Sequence, residues 1–212
     1  MARPLVWLLA PEGGSDSHFL RPLLRRCLED ACLRSHTEIE IPDGIDLRQL
    51  AGYSRGPVAL QGLLAKQPGQ WLLFVHADAD GEAGLARRNH VDPIVARLAS
   101  GTAGVPVVPV RETEAWILAD TRLLARVFGS TTRSLVDLGL PRTVADIERH
   151  ASPKQLLSEL HSRTTPRRRR SDIPFERFGQ SISLSALRSL PAFTQFEADL
   201  QSALHRLGIL QP

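Results

Sequence analysis

Short apolar runs separated by helical patterns constrain the fold of this chain most. Three such runs cover residues 5–10, 71–75 and 105–110. In each run the residues that would point to either face of a strand are apolar. Strands of this kind are buried on both faces, which is typical of a parallel sheet. Helical patterns between the runs favour βαβ crossovers within one sheet. The sequence therefore predicts an α/β fold with a Rossmann-like parallel sheet flanked by helices.

Turn and cap residues predict the other elements. A second strand is expected at residues 36–41, and the first helix is expected to follow an N-cap at Ser15 or Asp16. Pro106 and Pro109 remove hydrogen-bond donors from the 105–110 strand, which we therefore expect to be irregular or at an edge. Another helix is expected to begin near Thr113. Further helices are predicted at residues 57–65, 83–98, 122–128, 144–149, 153–160 and 193–207.

The alternation of strands and helices stops near residue 120. A chain of 212 residues is long enough for one core and an appendage. We expect an α/β core at residues 1–120 and a helical C-terminal subdomain at residues 121–212, which packs on it. A basic loop at residues 167–170 interrupts the helices of the subdomain.

Composition narrows the class of protein. A hydrophobic fraction of 42% and a charged fraction of 23% are ordinary for a globular protein. Cys27 and Cys32 fit neither a disulfide framework nor a CxxC pair, so we expect reduced thiols. The first apolar run is too short for a signal peptide, and no segment is long enough to cross a bilayer. We therefore expect a cytoplasmic protein without a membrane partner.

Acidic residues follow three of the predicted strands. Glu12 follows the first run, Asp78 and Asp80 follow the third strand, and Glu114 follows the fourth. The carboxyl ends of parallel strands meet at one edge of a sheet, where ligands usually bind. Carboxylates brought together there repel one another unless a cation offsets them. The sequence therefore predicts a metal site of Glu12, His76, Asp78 and Asp80, holding Mg²⁺ or, because of the histidine, Mn²⁺.

Each acid also has a structural explanation. Glu12 suits a cap or a solvated turn, and Asp78 suits an Asx turn that caps the next helix. Glu114 lies in a first helical turn, where an acid interacts favourably with the helix dipole. Trp116 is expected in the core and not as a platform for base stacking.

Basic residues favour a polyanionic substrate. The formal charge of +3 is unevenly spread, since four consecutive arginines occupy residues 167–170. Such residues near an acidic metal centre suit nucleic acid, whereas a solvated basic loop is the alternative interpretation.

The acidic motifs resemble those of the Toprim domain. Glu12-Gly13 after a first strand, and Asp78-Ala79-Asp80-Gly81 after a third, match the pattern of topoisomerases, primases and nucleases of the overcoming-lysogenisation-defect type. The whole chain also resembles a family of small, Toprim-like bacterial proteins known only as a domain of unknown function. The matching segments are residues 76–80, 107–120, 152–154, 167–170 and 187–193.

The resemblance implies roles for these residues. Glu12 would be a metal ligand or general acid/base, Asp78 and Asp80 would hold Mg²⁺, and Glu114 would be a further ligand or shape the site. His76 stands where topoisomerases often have a first acid, so either the metal preference has changed or catalysis is lost.

Phosphodiester cleavage is the expected reaction. Lys154, Arg168 and Arg169 would bind the nucleic-acid backbone, DNA or RNA, and Arg111 would stabilise charge in the transition state. Hydrolysis is favoured over strand passage because the single tyrosine, Tyr53, lies in a predicted loop. Nucleotidyl transfer ranks last, since no base pocket is evident.

The expected partners follow from the same resemblance. The chain lacks a P-loop and resembles the nuclease halves of ATPase–Toprim anti-phage defence pairs, so an ATPase partner is expected for any ATP-driven step. A homo-oligomer is left open. The alternative to an enzyme is a non-catalytic Toprim-like subunit that binds nucleic acid or a partner protein.

Overall fold

A four-stranded parallel sheet forms the centre of the protein. The computed structural model describes residues 2–51, 53–54, 57–64, 71–79, 81–98, 101–165 and 173–211. The strands are β1 Arg3–Pro4, β2 Val6–Ala10, β3 Ile39–Glu40, β4 Ile45–Asp46, β5 Trp71–His76 and β6 Thr102–Val107. The sheet has the order β4-β2-β5-β6, with every neighbouring pair parallel. A separate pair, β1-β3, is also parallel.

Helices precede and follow the strands along the chain. They are α1 Gly14–Cys32, α2 Pro57–Leu64, α3 Ala83–Ala86, α4 Asp92–Val95, α5 Glu114–Ala119, α6 Thr121–Phe128, α7 Thr132–Asp137, α8 Val144–Arg149, α9 Pro153–Thr164, α10 Phe175–Ser181, α11 Leu184–Leu187 and α12 Pro191–Arg206. A 3₁₀ turn covers Leu47–Gln49, and a π-helical stretch, Arg87–Val91, joins α3 to α4.

Both faces of the sheet are buried, which explains the unbroken apolar runs. Along β2, Trp7 and Leu9 belong to the core cluster on one face, whereas Leu8 and Ala10 belong to the cluster on the other. Because side chains alternate along a strand, each run must be apolar at every position. The predicted α/β fold, with a Rossmann-like parallel sheet flanked by helices, is confirmed.

Two strand predictions were wrong in extent. Of residues 36–41 only Ile39–Glu40 forms a strand, and it pairs with β1 outside the main sheet. The place beside β2 is taken by β4, which the sequence analysis did not predict. The last strand, β6, begins at Thr102 and ends at Val107, so Pro109 lies beyond it. The prolines predicted that this strand is irregular or at an edge, and its edge position is confirmed. An edge strand tolerates a missing hydrogen-bond donor.

Helix boundaries also differ at identifiable residues. The predicted helix at 83–98 contains the π-helical stretch just before Pro93, which cannot donate the hydrogen bond that a regular helix needs. The first helix has Gly13 as its N-cap, so the expected cap at Ser15 or Asp16 was misplaced. Three short helices, α7, α10 and α11, were not predicted.

The C-terminal helices pack on the sheet. Phe196 of α12 lies against Phe74 of β5, with ring centroids 6.2 Å apart. Trp116 is 1% exposed and meets Phe193 edge-on, which confirms its predicted place in the core. One apolar cluster runs from Leu5 to Leu210. The division into residues 1–120 and 121–212 stays a prediction.

The two cysteines agree with the sequence prediction. Cys27 is buried and Cys32 is half-buried, and both are free, as expected. Burial raises the pKa of Cys32 to about 11, so the thiol is unreactive at neutral pH.

Of the helices in the described ranges, none combines the length and apolar character that a membrane span requires.

Candidate metal centre

The turn between β2 and α1 presents two acids. Glu12 follows the strand and is exposed, whereas Asp16 lies in the first turn of α1 and is 8% exposed. Oδ2 of Asp16 accepts a hydrogen bond of 2.8 Å from the backbone N–H of Gly13. This bond ties the start of the helix to the turn, and it leaves the Asp16 carboxylate beside the end of the neighbouring strand, β5.

His76 is the buried centre of the cluster. It ends β5, has 0% exposure, and accepts a hydrogen bond of 3.3 Å at Nδ1 from the backbone N–H of Glu12. Nδ1 is therefore an acceptor here, and an ion bound by the ring would replace a contact of one of the two ring nitrogens. Nε2 lies 2.9 Å from Oγ1 of Thr113 and 3.2 Å from Oδ1 of Asp78, while Nδ1 lies 3.8 Å from Oδ2 of Asp16. The histidine therefore contacts the ends of three segments.

Glu12 and Asp78 are held together across neighbouring strands. The backbone N–H of Asp78 donates a hydrogen bond of 2.8 Å to Oε2 of Glu12. Oδ1 of Asp78 is buried, yet it accepts no hydrogen bond within the described chain, although Nε2 of His76 is close. A buried carboxylate oxygen without a donor is costly and suits a cation as its partner.

Glu114 begins α5 and is 4% exposed. Burial raises its pKa from the ordinary 4.5 to about 7, and the negative charges of Asp16 and Glu112 act in the same direction. A hydrogen bond from its own backbone N–H and the positive charge of Lys154 lower that pKa in part. At neutral pH this carboxyl group is therefore partly protonated and partly ionised.

Three residues come close enough to share one ion. Glu12, His76 and Asp78 each offer a ligand atom, and these atoms all lie within 4.8 Å of one another. The donor set is two carboxylates and an imidazole, which suits Mn²⁺ and, through its oxygens, Mg²⁺. The parallel sheet creates this proximity, because β2 and β5 are neighbours and end at the same edge.

Two predicted substrate-binding residues lie beside the cluster. The guanidinium of Arg111 lies over Gly81, where an added Cβ would be 3.1 Å from Nη2. Gly81 has a φ of +93°, a conformation that favours glycine. Lys154 is exposed in the first turn of α9, and its backbone N–H donates a hydrogen bond of 2.9 Å to Oε2 of Glu112. Predicted site residues Asp80, Arg168 and Arg169 lie outside the described residues.

Sequence analysis missed Asp16 and Thr113 as members of this site. Asp16 was interpreted only as a helix cap, and Thr113 only as a helix start. The signal for Asp16 was its position four residues after Glu12 in the same βα turn, at the edge where the other acids were expected. Thr113 carried no comparable signal, because its 2.9 Å contact with His76 depends on the path of the loop after β6.

Comparison with known proteins identifies a family. A family model described as domain of unknown function DUF4276 matches residues 11–201, which is most of the chain. The chain belongs to the DUF4276 family. No curated protein and no solved structure matches it significantly. The match of the DUF4276 model spans Glu12, His76, Asp78 and Glu114, so the whole candidate centre lies within the family domain.

Proposed function

We propose that the protein is a metal-dependent phosphodiesterase that cleaves nucleic acid. The observation that carries the proposal is the convergence of Glu12, His76 and Asp78 at the carboxyl edge of the sheet. The buried Oδ1 of Asp78, which accepts no hydrogen bond within the described chain, supports a cation there. Mg²⁺ or Mn²⁺ fits the donor set, and Asp80 is a further proposed ligand next to it in sequence.

The side chains around the cluster have distinct proposed tasks. The hydrogen bond from Asp78 N–H orients the Glu12 carboxylate, and the Thr113–His76 contact orients the ring beside Asp78. A divalent cation in this place would lower the pKa of a bound water and offset charge on a phosphate. Glu114, with its pKa near 7, is suited to take or give a proton at neutral pH.

Cationic side chains near the acids would receive the substrate. Arg111 lies over Gly81 in the loop that follows Asp78, and the Lys154 charge lowers the pKa of Glu114. A planar guanidinium binds phosphate oxygens in pairs, whereas an ammonium acts as a point charge. We assign these two residues, with Arg168 and Arg169, to binding the phosphodiester backbone.

The Toprim resemblance supports the same reaction class. Its motif needs a glutamate after one strand and an Asp-x-Asp pair after a neighbouring parallel strand. Glu12 follows β2 and Asp78 follows β5, and these two strands pair directly. By the same resemblance we propose an ATPase partner in an anti-phage defence system.

A non-catalytic binding subunit is the second candidate. The observation that favours it is the complete burial of His76, whose ring nitrogens contact Glu12, Thr113 and Asp78. Such contacts give the cluster a structural purpose, because they join the loops at the edge of the sheet. In that case the acids would hold loops together, and nucleic acid would be bound without cleavage.

The two candidates are separated by a cleavage assay. Labelled single-stranded DNA, double-stranded DNA and total tRNA are incubated with the protein in Mg²⁺, Mn²⁺ or EDTA. The proposal predicts cutting that requires a divalent ion and is lost in Asp78→Asn but kept in the exposed control Asp137→Asn. Binding without cutting under every condition, equal in the two variants, would favour the binding subunit.

A further inference from the structure

An open cleft of about 690 Å³ lies between α1, the segment around β4, and α10. Its volume is in the range of ligand sites. The cleft includes Gly14, the first residue of α1, which follows Glu12 by two positions. A ligand in this cleft would therefore reach the segment that carries the candidate metal centre.

The arginines of the cleft are not equivalent. Arg25 is paired with Glu29 at 3.0 Å and with Asp43 at 2.6 Å, so its charge is already offset. Arg21 and Arg48 also line the cleft, and neither forms an ion pair with any residue in the described ranges. Asp46 and Glu176 line the cleft as well, but no ion pair joins either acid to these two arginines. Two guanidinium groups without an ion pair favour an anionic ligand.

The position of Arg48 is fixed by a buried carboxylate. Asp46, which is 4% exposed, accepts a hydrogen bond from the hydroxyl of Ser17 and another of 2.9 Å from the backbone N–H of Arg48. These bonds hold the 3₁₀ turn against α1. As a result the guanidinium lies over Gly14, where an added Cβ would be 3.2 Å from Nη1. The arginine is thus held in place without an acidic partner.

The side chain of Arg21 has a buried donor without a hydrogen-bond acceptor. Its Nε is buried and donates no hydrogen bond within the described chain. Buried donors are nearly always paired in folded proteins, and a donor on a charged group is the costliest kind to leave unpaired. An oxygen-rich ligand in the cleft would satisfy this group.

We infer that the cleft binds the phosphate backbone of a nucleic-acid strand. This inference rests on the proposed function, since it names where the substrate of the candidate centre lies. Guanidinium groups match phosphate oxygens in geometry and charge. Trp7 lines the cleft but is 1% exposed and offers no surface for stacking bases, whereas the ring of His18 is exposed there. The guanidinium contacts would reach the phosphate backbone, and such contacts do not distinguish sequences.

Binding of labelled oligonucleotides tests the inference. Fluorescence anisotropy is measured in EDTA, so that no cleavage occurs, with single-stranded DNA, duplex DNA and RNA at several salt concentrations. The test variant combines Arg21→Gln with Arg48→Gln. The control combines Arg133→Gln with Arg142→Gln, two exposed arginines outside the cleft, so that both variants lose the same net charge. Circular dichroism confirms that each variant is folded.

The double variant should bind at least about tenfold more weakly than the wild type, because two charged contacts are lost. The slope of log Kd against log salt should decrease by about one to two units. The control should keep the affinity and the salt slope of the wild type. The inference would be overturned if the double variant bound the oligonucleotides as tightly as the wild type, or if the wild type did not bind them. It would also be overturned if free nucleotide competed for the cleft and unlabelled oligonucleotide did not.

The binding experiment and the cleavage assay can fail separately. Cleavage without dependence of binding on Arg21 and Arg48 would refute the cleft as the strand site and leave the nuclease proposal intact. Binding that depends on both arginines in a protein that never cleaves would refute the nuclease proposal and support the cleft.

Discussion

The backbone N–H of Asp78 donates a hydrogen bond of 2.8 Å to Oε2 of Glu12, although the two residues are 66 positions apart. Each residue follows a strand, and the two strands, β2 and β5, are neighbours in the parallel sheet. The pairing of two strands therefore brings two acids from distant parts of the sequence into one site, and the hydrogen bond fixes their separation.

Glu12→Gln and Glu12→Ala separate the charge of this residue from its hydrogen bond. Glutamine keeps an acceptor for Asp78 N–H but removes the negative charge. We expect Glu12→Gln to retain the thermal stability of the wild type and to bind Mn²⁺ at least about tenfold more weakly. Glu12→Ala should also lose about 1 kcal/mol of stability. Calorimetry and thermal unfolding measure the two effects, and equal Mn²⁺ affinity in all three proteins would contradict the assigned role.

Thr113→Val removes the hydroxyl beside Nε2 of His76. Because both residues are buried, loss of the hydroxyl contact with the ring should cost about 1–3 kcal/mol in the free energy of unfolding. Thr113→Ser retains the hydroxyl and should recover most of that loss. Urea unfolding of the three proteins provides the comparison. A valine variant as stable as the serine variant would show that the 2.9 Å contact is unimportant.

Glu114 should make stability depend on pH. Its pKa is 4.5 when exposed and about 7 when folded, so between these values the folded state holds the extra proton. Stability contributed by the protonated form is present below the lower value and is lost as pH rises toward the upper one, by about 3 kcal/mol in all. Glu114→Gln should remove this loss.

Urea unfolding in EDTA, at about pH 5 and about pH 8, measures the effect. The difference between the two pH values should be smaller in Glu114→Gln than in the wild type. Equal differences in the two proteins would show that another group is responsible.

Much of this site was predictable because strand ends are visible in the sequence. Apolar runs located β2 and β5, and their burial on both faces implied the parallel arrangement that brings Glu12 and Asp78 together. The ends of β6 were misplaced because Val108 and Val110 continue the apolar run beyond the strand, whereas its first residues, Thr102 to Gly104, are small. Two-residue strands such as β4 carry too few apolar positions to show a period. Contacts made by Thr113 and Arg48 depend on loop paths, which local sequence does not determine.

Asp120 illustrates how a conspicuous acid serves the fold alone. Oδ1 accepts a hydrogen bond of 2.9 Å from Leu123 N–H at the start of α6, and Oδ2 accepts one of 2.9 Å from Ser183 N–H. Asp120→Ala should lose about 2 kcal/mol of stability, since it removes a helix cap and a second, partly buried hydrogen bond. Chemical denaturation measures this loss. Mn²⁺ affinity of the folded variant should equal that of the wild type, and a weaker affinity would place Asp120 in the metal site.

Titration with Mn²⁺, followed by electron paramagnetic resonance of the free ion, tests the central claim most directly. The account predicts saturable binding by the wild type, loss of binding in Asp78→Asn, and wild-type binding in Asp137→Asn, which changes an exposed acid outside the cluster. No saturable binding by the wild type, or equal binding by Asp78→Asn, would contradict a metal centre at the carboxyl edge of the sheet.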